Sequence, residues 1–251
     1  MQGEALEAWF SANAAVWLLI TARAAGVCFT APVLAAPGLD PRFRVALAVL
    51  LGAWMAPAAA PLVGTIETGR AIVWLVLNEV LIGGLIGWSA SLIVAAARQA
   101  GDLVAAQSGM STSALFDPET GEELTALGHL YGLIALATFL TLDGPLIMAE
   151  AMIESFRTIP AGRLIFERAT AELMFSQVAA ALSLAVRAAA PPAVALAAAG
   201  VALGWLGRLA PSVPLMTLSL PIRAALGVLL VSASLVTLIA CLTNAWSVWG
   251  V

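Results

Sequence analysis

The chain has 251 residues, is 62% hydrophobic and 10% charged, and has a mean hydropathy of +1.00. No soluble domain of this size needs so much apolar surface, whereas a polytopic membrane protein does. A formal net charge of −4 without a basic cluster leaves no electrostatic footprint for nucleic acid.

All eleven positive charges are arginine. Cys28 and Cys241 lie in apolar segments far apart in sequence and are expected to be buried free thiols. The start, MQGEALEAWF, is acidic and does not read as a cleavable signal peptide. The first apolar segment runs from about Ala8 to Ala22, extendable past Arg23 to Leu34, with Trp9 and Trp17 placed as interfacial aromatics are. Pro32, Pro37 and Pro41 interrupt it, and Pro37 to Arg44 forms a short turn. A second span follows from about Val45 to Val63, whose tail, Ala56 to Pro61, is expected not to be regular helix because of Pro57 and Pro61.

The third span, Ala71 to Ala97, carries Glu79 as its only formal charge, and its Gly83 and Gly87 form a GxxxG step. Next comes a polar interruption, Arg98 to Leu124, expected as a loop. It contains Gly101 and Gly109, turns apolar at Leu115-Phe116, and then bends at Asp117-Pro118-Glu119-Thr120-Gly121. Small residues carrying a few bulky apolar ones suit either a solvated connection or a segment that packs in one state and moves in another. The fourth span, about Ala126 to Ala149, opens with a second GxxxG step, Gly128 and Gly132. Met148 to Glu172 is the most charged stretch and reads as a solvated helical segment broken at Pro160-Ala161-Gly162. A fifth apolar run, Leu173 to Gly207, is split by Pro191-Pro192 and ends with a third GxxxG step, Gly200 and Gly204. A proline-punctuated connection, Arg208 to Pro221, leads to the last span, about Ala224 to Val248. The chain is therefore expected to be all-α, with about six apolar helical segments, several broken or kinked. Arginines divide too evenly between the two sets of connections to fix the orientation.

Chemical motifs are absent: no GxxxxGK[ST], HExxH or GxSxG and no cysteine cluster. The single histidine, His129, has no second histidine to share a metal, and Asp117 to Glu123 lacks the ligand spacing of a calcium loop. Ionisable groups inside apolar spans are more informative, because an unpaired one is costly there. Glu79, Asp143 and Arg187 are such groups. They either pair with one another, Arg187 with Glu79 or Asp143, or line a polar path or a contact to partner subunits.

QSGMSTSALFDPETG, from Gln107 to Gly121, resembles the central motif of the FliR family, the flagellar member of the type III export apparatus. Asp143-Gly144 followed by Thr158-Ile159-Pro160-Ala161-Gly162 is similar to a second family segment. GRLAPSVPLMTLSLPIR, Gly207 to Arg223, is similar to a third, matching at Arg208, Ala210, Pro211, Pro221 and Arg223. It departs at Ser212 and Pro214, where relatives usually carry Gln and Asn. The LFDP form favours the flagellar branch over the virulence-secretion branch.

The resemblance implies a non-enzymatic, cofactor-free subunit of an export gate in the inner membrane, within the flagellar basal body. It would assemble with several FliP-like and FliQ-like copies, with an FlhB-like subunit alongside and lipid around it, and pass unfolded flagellar subunits. Residues 1–172 would be FliP-like and 173–251 a FliQ-like helical hairpin. The central stretch, 98–124, would plug the pore, with Gly101 to Phe116 as the plug. Met110, Leu115 and Phe116 would fill the lumen, and Gly109 would be the hinge. Asp117, Pro118 and Gly121 form the motif's turn. Arg208, Pro211 and Arg223 join Glu79, Asp143 and Arg187 as expected polar or subunit contacts. The competing class is a self-contained small-molecule or ion transporter, which would show repeated halves. No self-similarity relates 1–125 to 126–251.

Overall fold

The computed structural model describes residues 14–35, 38–63, 72–110, 115–116, 123–161, 168–209 and 215–249. They form helices α1 (Ala14–Thr30), α2 (Pro41–Val63), α3 (Ile72–Ser108), α4 (Ala126–Thr141), α5 (Gly144–Thr158), α6 (Arg168–Leu209) and α7 (Leu215–Trp249). Between α3 and α4 the described residues also include a two-residue ladder. There β1 (Leu115–Phe116) pairs antiparallel with β2 (Glu123–Leu124), Leu115 opposite Leu124 and Phe116 opposite Glu123.

Four helical stretches are long and apolar enough to cross a membrane: Pro41–Pro61, Ile72–Ser108, Thr170–Leu209 and Ser219–Val248. The interrupted pair α4 and α5 makes a fifth if counted as one broken span, and α1 is a shorter apolar helix. This agrees with the six expected apolar segments. Their boundaries differ in four places. Helix α2 begins at Pro41, its first N–H groups turned towards Asp40, and continues through Pro57 and Pro61. Helix α6 continues through Pro191-Pro192, and Pro221 lies inside α7. A proline removes one N–H and crowds the carbonyl four residues back. In an apolar surround, abandoning the helix would expose more backbone than the proline does, so the helix persists. Alanines at 188–190 and 193 add strong helix propensity around the Pro191-Pro192 pair.

The third difference concerns α3, which extends to Ser108 and makes Arg98 to Ser108 helix, not loop. Fourth, the apolar run starting at Ala126 breaks at Leu142-Asp143 rather than running to Ala149. Asp143 adopts the left-handed conformation, φ 54°, and Pro145 follows in the first turn of α5. The expected break after Thr158 is present, with Pro160 and Ala161 outside α5.

Two compact units divide the chain, one built from residues up to 91 with 143–176, the other from 92–142 with 177–249. In the first, α1 packs on α2, and α2 on α5. Leu19, Ile20, Met55 and Phe156 are buried there. The first half of α3 meets α1 backbone to backbone. A Cβ on Gly26 would strike the Val80 carbonyl, one on Gly83 the Arg23 carbonyl, and one on Gly87 the Thr30 hydroxyl. That hydroxyl also donates to the Gly84 carbonyl at 3.0 Å. In the second unit α4 packs on α7, with the Phe139 and Trp246 rings 4.7 Å apart at their centroids.

Candidate functional site

The motif-bearing stretch begins where α3 stops. Ser108 is fully buried, and its hydroxyl donates back to the Ala105 carbonyl at 3.0 Å. Gly109 follows at φ +77°, the left-handed conformation that ends helices and that glycine adopts without a Cβ penalty. Both residues sit against α7. A Cβ on Gly227 would lie 2.7 Å from the Ser108 Cβ and 4.0 Å from the Met110 sulfur, and one on Gly109 would meet Leu220 at 3.5 Å. Gly109 therefore forms the turn that ends α3. Gly109→Ala should destabilise the chain by about 1 kcal/mol through its positive φ alone. Thermal unfolding of the detergent-purified protein measures it.

Gly101 is not part of a loop. It is buried within α3, where a Cβ would come 2.5 Å from the Leu127 carbonyl and 2.7 Å from the Gly128 Cα. This contact sets α3 against the start of α4, and residues one turn apart on α3 share it. The Arg98 side chain crosses over Gly132, and the Asp102 carboxylate lies where a Gly128 Cβ would be. Asp102 Oδ1 accepts a 2.5 Å hydrogen bond from the Thr125 hydroxyl, which itself accepts from the Gly128 N–H at 2.9 Å and caps α4. The second GxxxG step thus accommodates two charged side chains as well as a close backbone. Of the remaining motif residues, Leu115 and Phe116 form β1, while Asp117, Pro118 and Gly121 lie outside the described residues.

The intramembrane charges resolve differently from the pairing expected. Glu79 takes Arg23, not Arg187. Arg23 Nε donates to Glu79 Oε2 at 2.7 Å, with both side chains fully buried. The same guanidinium donates through Nη1 to Ser155 Oγ at 2.8 Å and through Nη2 to the Ile159 carbonyl at 3.2 Å. Its Cζ lies 3.7 Å from the Phe156 ring centroid. Four contacts thus join α1, α3 and the C-terminal end of α5, where a cation also meets the helix dipole favourably. Arg187 and Asp143 are exposed; the Asp143 carbonyl accepts the Leu146 and Ile147 N–H groups at 2.9 and 3.1 Å. Arg208 is exposed in the last turn of α6, and Pro211 lies outside the described residues. Arg223 is half-buried against Gly200, and its Nε has no hydrogen-bond partner among the described residues. Arg23 escaped the sequence argument because it was counted at the end of a short span. Its position within an apolar run that continues to Leu34 was the signal, since such a cation needs a carboxylate.

No group of three or more His, Cys, Asp or Glu residues that could hold a metal occurs among the described residues. Long apolar helices, glycine-mediated contacts and a buried ionic hub define a membrane-embedded polytopic helical protein. Residues 14–248 match the model of "Bacterial export proteins, family 1", and the chain belongs to that family, the FliR family of the flagellar export apparatus. Among its relatives, the flagellar biosynthetic protein FliR of Pectobacterium carotovorum subsp. carotovorum is 31% identical over 208 residues, 80% of this chain and 76% of the relative. FliR of Escherichia coli K12 is 28% identical over 229 residues, 90% and 86% of the two chains. The surface presentation of antigens protein SpaR of Shigella sonnei is 24% identical over 229 residues, 90% and 88%. Membership makes the chain a membrane-embedded component of a flagellar or type III export apparatus.

Proposed function

We propose that this chain is a structural and gating subunit of the flagellar type III export channel in the inner membrane, at the flagellar basal body. It assembles with FliP-like and FliQ-like subunits, beside an FlhB-like one, and lets unfolded flagellar subunits through. Residues 1–172 form the FliP-like part and 173–251 the FliQ-like hairpin. The observation that carries this reading is the end of α3. In a chain whose relatives are flagellar biosynthetic proteins, the stretch bearing the family motif leaves a membrane-length helix through a left-handed glycine braced by α7. A polypeptide pathway must be wide when used and sealed against small ions when idle. Met110, Leu115 and Phe116 supply adaptable apolar bulk for the seal, and Gly109 lets the segment swing.

Contacts to other subunits are supported by the third GxxxG step. Gly200 is covered by Arg223, but the Cβ position of Gly204 opens onto empty space among the described residues. Arg187, Arg208 and Arg223 are the charged groups we assign to those contacts, since a charge on an apolar helix is stabilised by a partner.

Deleting Met110 to Phe116 should leave the export complex assembled and make its membrane leaky to small ions, seen as a collapsed potential and slowed growth. A deletion that leaves ion permeability unchanged sinks the sealing role. Purification distinguishes the transporter alternative: the export reading requires a large hetero-oligomer, whereas a self-contained transporter is recovered as a monomer or small homo-oligomer.

A further inference from the structure

The second unit holds a polar contact that no family motif predicts. Asp102 is on α3, two turns before the helix ends, which is about 10 Å along its axis. Its carboxylate accepts the Thr125 hydroxyl at 2.5 Å, and Gly101 and Gly128 bring the two helices close enough for this bond to form. Thr125 is the residue directly after β2, and Leu124 of β2 pairs with Leu115 of β1. A short connection therefore runs from Asp102 through Thr125 and Leu124 to Leu115 and its neighbour Phe116. A one-residue slip in so short a ladder would change every pairing in it, so fixing Thr125 also fixes the register of β1 against β2.

We infer that Asp102 and Thr125 are positioning residues for the seal: their hydrogen bond anchors the return strand, and through it the Leu115–Phe116 rung. This rests on the sealing role proposed above. The two ends of the segment then have different jobs. At Gly109 the chain leaves α3 through a residue with backbone freedom. At Thr125 it rejoins through a side chain that is buried, caps a helix and bonds a carboxylate.

Substitution of this contact in the full export complex tests the assignment. Thr125→Val keeps the shape and removes the donor together with the cap, Asp102→Ala removes the acceptor and leaves the cap, and Thr125→Ser retains both the cap and the bond. Thr125→Val and Asp102→Ala should each raise the resting ion leak of assembled complexes about tenfold, equivalent to ~1.4 kcal/mol lost from the closed state. Thr125→Ser should match the unaltered protein. Complex yield, read in the same preparations, should be preserved in Thr125→Val. If Thr125→Val prevents assembly, or leaves assembled complexes tight, the positioning role is overturned. Should Asp102→Ala alone fail to assemble, Thr125→Val decides. A leaky Met110–Phe116 deletion beside tight Thr125→Val complexes would refute the anchor and leave the seal standing. A deletion without leak would refute the seal itself.

Discussion

Replacing Arg23 with methionine should sharply reduce the amount of folded chain recovered from membranes, and Glu79→Leu should do the same. Both side chains are fully buried and bonded at 2.7 Å. Removing either partner leaves an uncompensated charge in an apolar surround, a defect of about 3–5 kcal/mol in buried pairs. That is a large part of the stability of a typical domain. Removing both charges at once is different, because two apolar side chains of similar volume need no desolvation. The double variant Arg23→Met, Glu79→Leu should recover most of the yield. It will fall short of full recovery, since the bonds to Ser155 and the Ile159 carbonyl and the cation–π contact with Phe156 are lost as well. Quantitative immunodetection in membrane fractions, with thermal unfolding of detergent-purified chain, measures all three variants. Two single variants as stable as the parent would remove the hub from any account of what holds the first unit together.

The hub illustrates what could and could not be read from the residues. That the chain is all-helical, apolar and built on close helix contacts follows from composition and from glycine spacing. The GxxxG steps at Gly83 and at Gly128 mediate contacts through both of their glycines, and the third does so through Gly200. The third helix was expected to end near Ala97, whereas it runs on to Ser108 and turns at Gly109. Arg23 was missed because pairing is a long-range fact. Its partner lies 56 positions away, and Arg187 and Asp143 offered equally good charges on paper.

Helix ends were the other weakness. Polar, small residues from Arg98 to Ser108 look like loop when scored one by one. Placed on a helical wheel, Arg98, Gly101, Asp102 and Ala105 fall on one face, and Gly101, Val104, Ala105 and Ser108 are buried. Periodicity, not polarity, carried the information there. Prolines misled in the opposite direction, since the rule that they break helices is calibrated on water, where a freed carbonyl finds another partner.

Gly83→Val should be as damaging as the loss of Arg23, for a related reason. A Cβ at Gly83 would overlap the Arg23 carbonyl and come within 3.1 Å of the Val27 nitrogen, both main-chain atoms that no rotamer change can move away. Helices α1 and α3 must then separate, and overpacking of this kind costs about 1–3 kcal/mol before any further loss. The separation would also draw the Arg23 guanidinium away from Glu79, so the strain and the broken ion pair add. Gly204→Val provides the contrast. Its Cβ position meets nothing within 4 Å among the described residues, so stability of the isolated subunit should be unchanged within about 0.5 kcal/mol. If a neighbouring subunit packs on that glycine, as the proposed assembly requires, Gly204→Val should yield normal amounts of chain and reduced amounts of the hetero-oligomer. Pull-down yield measured against total membrane-bound chain separates the two effects. Normal complex recovery with Gly204→Val would take that face out of the interface, and an undiminished chain level with Gly83→Val would mean that α1 and α3 do not need their backbone contact.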